Sequence, residues 1–220
     1  MDAAFRAGEI ARCFLPQRTH YWYSRCKLAS DPLYRGVGAA LRDTHAPLLD
    51  LGCGIGLLAH TLRALGFTGS YFGVDNDIGK IGSARAAAAR ARLADTHFEA
   101  LDLATMAPPS HRGSVALLDV LQFMPVAAGQ ALLDRAASSI APGGRLVIRT
   151  GIECAGARMR FTRAVDRGSR RIGWMNAPPH WYPTREALEA ALARHALRAR
   201  FAPLTGLLPF DNWLVVASGD

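Results

Sequence analysis

Short apolar runs alternate with longer amphipathic segments through the middle of the chain. In the longer segments, apolar residues recur every three or four positions, a period typical of helices. Brief apolar runs bounded by glycine, proline or acids are typical of buried strands. Strands are predicted over 48–51, 70–75, 97–101, 115–119 and 145–149. Strands alternating with helices indicate a parallel sheet with crossover helices.

Two further strands are predicted near the end of the chain, over 197–201 and 213–217. Thr184, just after Pro183, looks like the cap of a helix that runs to about His195. Other helices are predicted over 57–65, 78–92 and 126–140, with Asp77 as a cap, and from Asp31-Pro32 to about residue 42. The pattern predicts an α/β protein with a doubly wound, seven-stranded, mostly parallel sheet and an N-terminal helical cap.

A length of 220 residues suits one compact domain. We expect a single domain, 1–220, with four parts along the chain. They are a helical cap (1–45), a core (46–150), a basic and aromatic insertion (151–182), and a C-terminal helix with strands (183–220).

The composition is that of a globular protein. Half of the residues are hydrophobic and 20% are charged, which excludes a disordered or fibrous chain. No 18-residue apolar window is present and the first residues lack the pattern of a signal peptide, so we expect no membrane span and a cytoplasmic protein. The four cysteines form no CxxC pair and no histidine clusters with them, so no metal site or redox dithiol is predicted.

A formal net charge of +8 raises the question of a nucleic-acid partner. Only Lys27 and Lys80 are lysines, and alanine is abundant, which indicates a compositional bias toward arginine rather than a binding surface. The arginines are scattered except for a cluster between Arg158 and Arg171. The composition therefore argues against a nucleic-acid partner. Because of the arginine cluster, an RNA or protein substrate stays open as the alternative.

The sharpest local signal is a glycine loop, Asp50-Leu51-Gly52-Cys53-Gly54-Ile55-Gly56, between a predicted strand and a predicted helix. Glycines allow a tight turn and a close approach of backbone to a ligand. The dinucleotide fingerprint GxGxxG is not met, because Leu57 occupies its third glycine position, which disfavours an NAD-dependent oxidoreductase. An acid at Asp50 would repel a pyrophosphate and attract an ammonium group, so the loop fits a ligand with an amino-acid end.

Acids recur where successive strands are predicted to end. Asp75 ends the second strand, and a carboxylate in this position can accept hydrogen bonds from ribose hydroxyls. Asp102 follows the third strand and Asp119 ends the fourth. Open α/β sheets bind ligands at this carboxyl edge, so we expect these acids to lie around one site.

With these motifs the chain resembles the class I S-adenosylmethionine-dependent methyltransferases of the small-molecule type, which have a Rossmann-like fold. The resemblance covers about residues 48–150 and continues more loosely through the last strands. It rests on the glycine loop, on Asp75, on Asp102-Leu103, on Leu118-Asp119-Val120-Leu121-Gln122 and on the turn Pro142-Gly143-Gly144-Arg145-Leu146. It implies S-adenosyl-L-methionine as the cofactor and S-adenosyl-L-homocysteine as the product.

The resemblance also implies roles for individual residues. The loop would hold the methionine end, Asp75 the ribose, Asp102 and Leu103 the adenine, and Asp119 the methyl-donor pocket. The candidate cofactor-binding residues are Asp50, Gly52, Cys53, Gly54, Gly56, Asp75, Asn76, Asp102, Leu103 and Asp119. Cys53 is a small residue within the loop rather than a nucleophile.

The acceptor pocket is predicted from the cap and the insertion. His20 and His180 are the candidate general bases, since each lies in an aromatic segment outside the core. Aromatic walls suit a flat or apolar acceptor, and arginines suit a carboxylate or phosphate on it. The candidate acceptor-binding residues are Tyr21, Tyr23, Arg25, Gln122, Arg158, Trp181 and Tyr182.

The segment after the fourth strand also bears on the acceptor. Nucleic-acid amino methyltransferases of this fold carry an Asn/Asp-Pro-Pro-aromatic motif where this chain has Asp119-Val120-Leu121-Gln122. The departure favours a small-molecule acceptor, aromatic or acidic, methylated on oxygen rather than on nitrogen or carbon. An RNA or protein methyltransferase and a non-catalytic binding protein stay open, as does the choice between a monomer and a homodimer.

Overall fold

One mixed sheet organises the protein. The structure is a computed structural model and describes residues 7–153, 180–205 and 211–219. In these ranges seven strands pair in the order β3-β2-β1-β4-β5-β7-β6. The strands are β1 (Leu48–Leu51), β2 (Tyr71–Asp75), β3 (Thr96–Ala100), β4 (Ser114–Leu118), β5 (Leu146–Gly151), β6 (Arg198–Pro203) and β7 (Asn212–Ser218). The first five are parallel, and β7 runs antiparallel between β5 and β6.

The described helices form a cap and the crossovers. They are α1 (Ala7–Arg12), α2 (Arg18–Ser30), α3 (Leu33–Ala40), α4 (Leu57–Ala64), α5 (Ile78–Ala91), α6 (Val126–Ser138) and α7 (Arg185–Ala193). The predicted α/β class, the seven-stranded mostly parallel sheet and the N-terminal helical cap are confirmed. Most of the predicted insertion, 154–179, lies outside the described residues.

Two apolar layers cover the two faces of the sheet, because successive residues of a buried strand point to opposite sides. Leu48 packs with the buried residues of α1 to α5, whereas Leu49 packs with those of α6 and α7. The cap therefore shares one face of the sheet with α4 and α5. This arrangement brings α2 to the side of the sheet on which Asp50 lies.

The side chains predicted to cap the starts of helices largely do so. The side chain of Asp77 accepts a hydrogen bond from the Lys80 N–H at 3.0 Å, and that of Thr184 accepts one from the Ala187 N–H at 3.2 Å. Asp31 instead accepts from the Leu33 N–H at 3.0 Å, and α3 begins at Leu33. Strand β4 ends at Leu118, one residue earlier than predicted, because Asp119 adopts a left-handed backbone with φ +60°.

Candidate active site

The strand order reverses between β1 and β4, which lie side by side at the centre of the sheet. In open α/β sheets the loops at such a point diverge and leave a crevice outside the carboxyl ends of the strands. The glycine loop follows β1, and Asp119 follows β4. The two segments therefore flank the crevice where a ligand is expected.

The glycine loop has the left-handed backbone that its sequence predicts. Gly52, Gly54 and Gly56 have φ values of +85°, +55° and +75°. A Cβ on Gly52 would lie 2.4 Å from Val120 Cγ2, and one on Gly56 would lie 2.6 Å from Phe98 Cζ. A Cβ on Gly54 would meet nothing within 4 Å. Two of the glycines thus pack inside the protein, while Gly54 faces open space.

Asp75 ties this loop to the end of β2. Its Oδ2 accepts a hydrogen bond from the Gly54 N–H at 2.9 Å, and its Oδ1 accepts one from the Asp77 N–H at 3.0 Å. The side chain is half-buried, and each carboxylate oxygen keeps a further lone pair. Asp75 can therefore hold the loop and still accept hydrogen bonds from a ligand.

Asp50 is a buried carboxylate beneath the loop. It is 2% exposed, and its Oδ2 accepts a short hydrogen bond from the Tyr71 hydroxyl. Its Oδ1 is buried and has no hydrogen-bond partner within the described part of the chain. Burial raises the pKa of Asp50 to about 7, with a smaller upward effect from Asp75, while the bond from Tyr71 lowers it. The unpartnered Oδ1 suits a cationic donor.

The remaining cofactor candidates differ in their surroundings. The Asp102 carboxylate accepts hydrogen bonds from the Ala104 N–H at 3.0 Å and from the Thr105 hydroxyl at 3.1 Å, and these bonds stabilise a turn. Leu103, the next residue, is partly buried. Asn76 is exposed beside Asp75. Cys53 is buried, and burial raises the pKa of its thiol well above the usual value, which suits a packing role.

Asp119 pairs with a buried arginine on the neighbouring strand. Its Oδ2 lies 2.5 Å from Nη1 of Arg149, and the same Nη1 lies 3.1 Å from Oδ2 of Asp31. Gln122 lies alongside, with its Nε2 3.5 Å from Asp119 Oδ1 and its Oε1 3.5 Å from the Thr150 hydroxyl. The ends of β4 and β5 thus meet the junction of α2 and α3 through charged side chains.

His20 is held by a short hydrogen-bond chain. Its Nδ1 lies 2.8 Å from the Ser83 hydroxyl oxygen, and that hydroxyl donates to Gln17 Oε1 at 2.9 Å. Because a hydroxyl has one hydrogen, Ser83 accepts from His20, so Nδ1 carries the proton and Nε2 keeps the lone pair. Burial lowers the pKa of His20. At the start of α5, the charge of Asp77 raises this pKa and that of Lys80 lowers it further. His20 thus lies against α5, and its lowered pKa favours the neutral imidazole.

The other acceptor-side candidates separate into two groups. The backbone N–H of His180 donates to the Gln122 carbonyl at 2.7 Å, and Trp181 Nε1 donates to the Met124 carbonyl at 3.1 Å, with Tyr182 buried next to them. These three therefore lie beside the segment that follows β4. Tyr21 and Tyr23 are half-buried, Arg25 is exposed beside α1, and Arg158 lies outside the described residues.

The sequence reasoning did not single out three residues of this site: Tyr71, Asp31 and Arg149. Tyr71 and Arg149 carry a signal in hindsight, since a hydroxyl or a charge within a buried segment requires a partner. Arg149 is the charged member of a fully buried strand, and Tyr71 opens a largely buried one. The sequence pattern therefore indicates that these side chains have polar partners, but it does not identify the partner residues.

Within residues 7–153, 180–205 and 211–219, no group of three or more histidines, cysteines and acids could hold a metal ion. Over the same ranges, no helix has the length and apolar character needed to cross a membrane.

Comparison with known proteins agrees with this architecture. Residues 48–144 match a family described as a methyltransferase domain. A trans-aconitate 2-methyltransferase from Rhizobium meliloti (strain 1021) is 36% identical over 104 residues, 47% of this chain and 37% of that protein. The match therefore spans little more than a third of that relative's length.

Solved structures share the fold at low identity. A magnesium protoporphyrin IX methyltransferase from Synechocystis PCC 6803, crystallised with bound SAH, superposes with a TM-score of 0.64 at 18% identity, over 86% of this chain and 82% of that one. An O-methyltransferase from neocarzinostatin biosynthesis, crystallised with S-adenosyl-L-homocysteine and 1,4-dihydroxy-2-naphthoic acid, gives 0.61 at 19% identity, over 90% and 55% of the two chains.

The fold and the site define a doubly wound protein whose ligand crevice lies between a glycine loop and two strand-end acids. The core of the chain, residues 48–144, matches a methyltransferase-domain family, and solved methyltransferases share its fold.

Proposed function

We propose that this protein transfers a methyl group from S-adenosylmethionine to an oxygen atom of a small-molecule acceptor. The observation that carries the proposal is the open loop position at Gly54, whose N–H is bound to Asp75, above the buried and half-partnered Asp50. This arrangement offers an anionic partner to each end of an aminoacyl nucleoside. The methyltransferase match over residues 48–144 supports the same assignment.

The residues present fit S-adenosylmethionine. Asp50 Oδ1 has no hydrogen-bond partner and would take the ammonium group, and Asp75 would take the ribose hydroxyls. Bound there, the cofactor supplies a methyl group already activated on a sulfonium sulfur. The protein then has to align donor with acceptor and exclude water from the crevice.

The affinity for S-adenosylhomocysteine is expected to rise as pH increases through about 7. Below this pH Asp50 is protonated and neutral, because burial raises its pKa to about 7, and above it the carboxylate attracts the ligand's ammonium group. Each pH unit below the midpoint should weaken binding by up to about tenfold. Titration calorimetry between about pH 5.5 and 8.5 measures the effect.

Two variants sharpen this pH test. Tyr71→Phe removes the hydrogen bond that lowers the pKa of Asp50, so its midpoint should move to higher pH. Asp50→Asn should bind weakly, with no step near the wild-type midpoint. An affinity that stays level across neutral pH in the wild type would show that Asp50 does not meet a charged ligand group.

His20 would act as the general base toward an oxygen nucleophile of the acceptor. The hydrogen-bond chain to Ser83 and Gln17 leaves Nε2 of His20 free to take the proton of an acceptor hydroxyl. Removal of that proton by His20 would activate the acceptor oxygen toward the methyl group that bound S-adenosylmethionine would supply. His180 is the second candidate, because its backbone lies against Gln122 at the end of β4.

The decisive test separates binding from transfer. Calorimetry should detect S-adenosylhomocysteine binding, and a screen of phenols and carboxylic acids with radiolabelled S-adenosylmethionine should detect methyl uptake. His20→Gln should bind the product as the wild type does and lose most of the transfer to a phenol. Binding without transfer to any compound would favour a non-catalytic protein, and the absence of binding would refute the proposal.

A further inference from the structure

Arg149 is a buried cation at the carboxyl end of β5. All six residues of this strand are buried, and the Arg149 side chain is 7% exposed. A charge in such a place is retained only with partners, and both Asp31 and Asp119 approach one of its nitrogens, Nη1. Arg149 therefore joins the cap, which carries Asp31, to the crevice, which Asp119 borders.

The other edge of the guanidinium is not engaged. A guanidinium binds a carboxylate most strongly through two parallel hydrogen bonds, and the edge formed by Nε and Nη2 is one that permits this geometry. The Nε of Arg149 is buried and has no hydrogen-bond partner among the residues that the structure describes. Both aspartates instead share Nη1. A buried donor without a partner is costly, so this edge is suited to an anion that the protein itself does not provide.

Asp31 can release Arg149 without losing all of its charge partners. Its Oδ2 also lies 2.9 Å from the ammonium nitrogen of Lys27, one helical turn earlier in α2. Although burial opposes ionisation, Arg149 and Lys27 hold the pKa of Asp31 below its ordinary value. Asp31 is thus an ionised group with a second cation within reach, so it keeps a cationic partner if its contact with Arg149 weakens.

We propose that Arg149 binds a carboxylate of the methyl acceptor, and that Asp31 competes with this carboxylate for the guanidinium. The assignment rests on the proposed function and specifies the acceptor as a carboxylic acid. The acid would take the edge formed by Nε and Nη2 while Asp119 stays on Nη1, and the negative charge of Asp31 at Nη1 opposes the incoming carboxylate. The location fits, because Asp119 and Gln122 line the end of β4 beside the same guanidinium.

The test compares acids with uncharged analogues in the presence of saturating S-adenosylhomocysteine. The probes are 1,4-dihydroxy-2-naphthoic acid with 1,4-dihydroxynaphthalene, and trans-aconitic acid with its trimethyl ester. Calorimetry should show at least one acid binding about tenfold more tightly than its uncharged analogue. If neither acid is preferred, the proposal is overturned.

Removal of the competitor should strengthen binding of the acid. Asp31→Asn is expected to tighten the preferred acid by about threefold to tenfold and to leave its uncharged analogue unchanged. A purely structural ion pair would instead lose stability with no gain in affinity for the acid. Glu189→Gln, which breaks the exposed pair of Arg185 and Glu189, is the matched control and should change neither probe.

A second variant tests the arginine itself. Arg149→Lys keeps a cation between Asp31 and Asp119 but lacks the two-nitrogen edge, so the preference for the acid should disappear. If this variant does not fold, Asp31→Asn still decides the question. Failure to bind S-adenosylhomocysteine would count against the proposed function, whereas normal binding without preference for an acid would count against this inference alone.

Discussion

Gly54→Val is expected to abolish binding of S-adenosylmethionine while the domain stays folded. A Cβ on Gly54 meets no atom of the described residues within 4 Å, so the added side chain would enter the crevice rather than the core. Its φ of +55° strains any side chain, and valine should lose about 1–2 kcal/mol of folding stability for that reason. Calorimetry and thermal unfolding report the two effects separately.

Gly143→Val is the matched control for this strain. Gly143 also has a left-handed backbone, with φ +76°, and a Cβ there would meet nothing within 4 Å. It lies in the turn before β5, at the edge of the sheet opposite the crevice. This variant should lose similar stability and bind normally. Equal loss of affinity in both variants would mean that strain, rather than contact with the ligand, explains the result.

Asp75→Ala should weaken binding by about 1–3 kcal/mol, which corresponds to about fivefold to 150-fold in Kd. The variant removes the proposed acceptor of the ribose hydroxyls. It also frees the Gly54 and Asp77 N–H groups that Asp75 holds at 2.9 and 3.0 Å. The ligand then loses direct hydrogen bonds and meets a less ordered loop, and calorimetry of S-adenosylhomocysteine binding measures the sum.

Asp77→Ala separates a local helix effect from this loss. Asp77 caps α5 through the Lys80 N–H, so its removal should lower stability by about 1 kcal/mol. Asp75 keeps its bond to the Asp77 N–H in this variant, because that donor belongs to the backbone. Affinity should change little. Unaltered affinity in Asp75→Ala, in contrast, would place the ribose elsewhere.

The fold and the loop could be predicted because their signals are local in sequence. The alternation of short apolar runs with amphipathic segments indicates parallel strands and crossover helices. The spacing of glycines between β1 and α4 requires left-handed backbone, which the structure has at Gly52, Gly54 and Gly56. Caps at Asp77 and Thr184 depend on neighbours three residues away and were predicted for the same reason.

The partners of buried polar groups could not be predicted, because they depend on the register and packing of distant segments. Tyr71 meets Asp50 only because β2 pairs with β1 so that Leu48 lies opposite Tyr71. Arg149 meets Asp31 because the cap folds back over the end of β5. In the sequence these four residues are isolated polar positions, and only the tertiary structure brings each of them to its partner.

The position of β7 has a consequence for how the chain matures during synthesis. This strand pairs with β5 through Leu146–Gly151 and with β6 through Arg198–Pro203. It therefore lies between them and connects β6 to the rest of the sheet. A nascent chain that has emerged only through β6 has no partner for that strand and leaves one side of β5 open. Arg149, which lies opposite Leu214, gains its final surroundings only after residues 212–218 have left the ribosome.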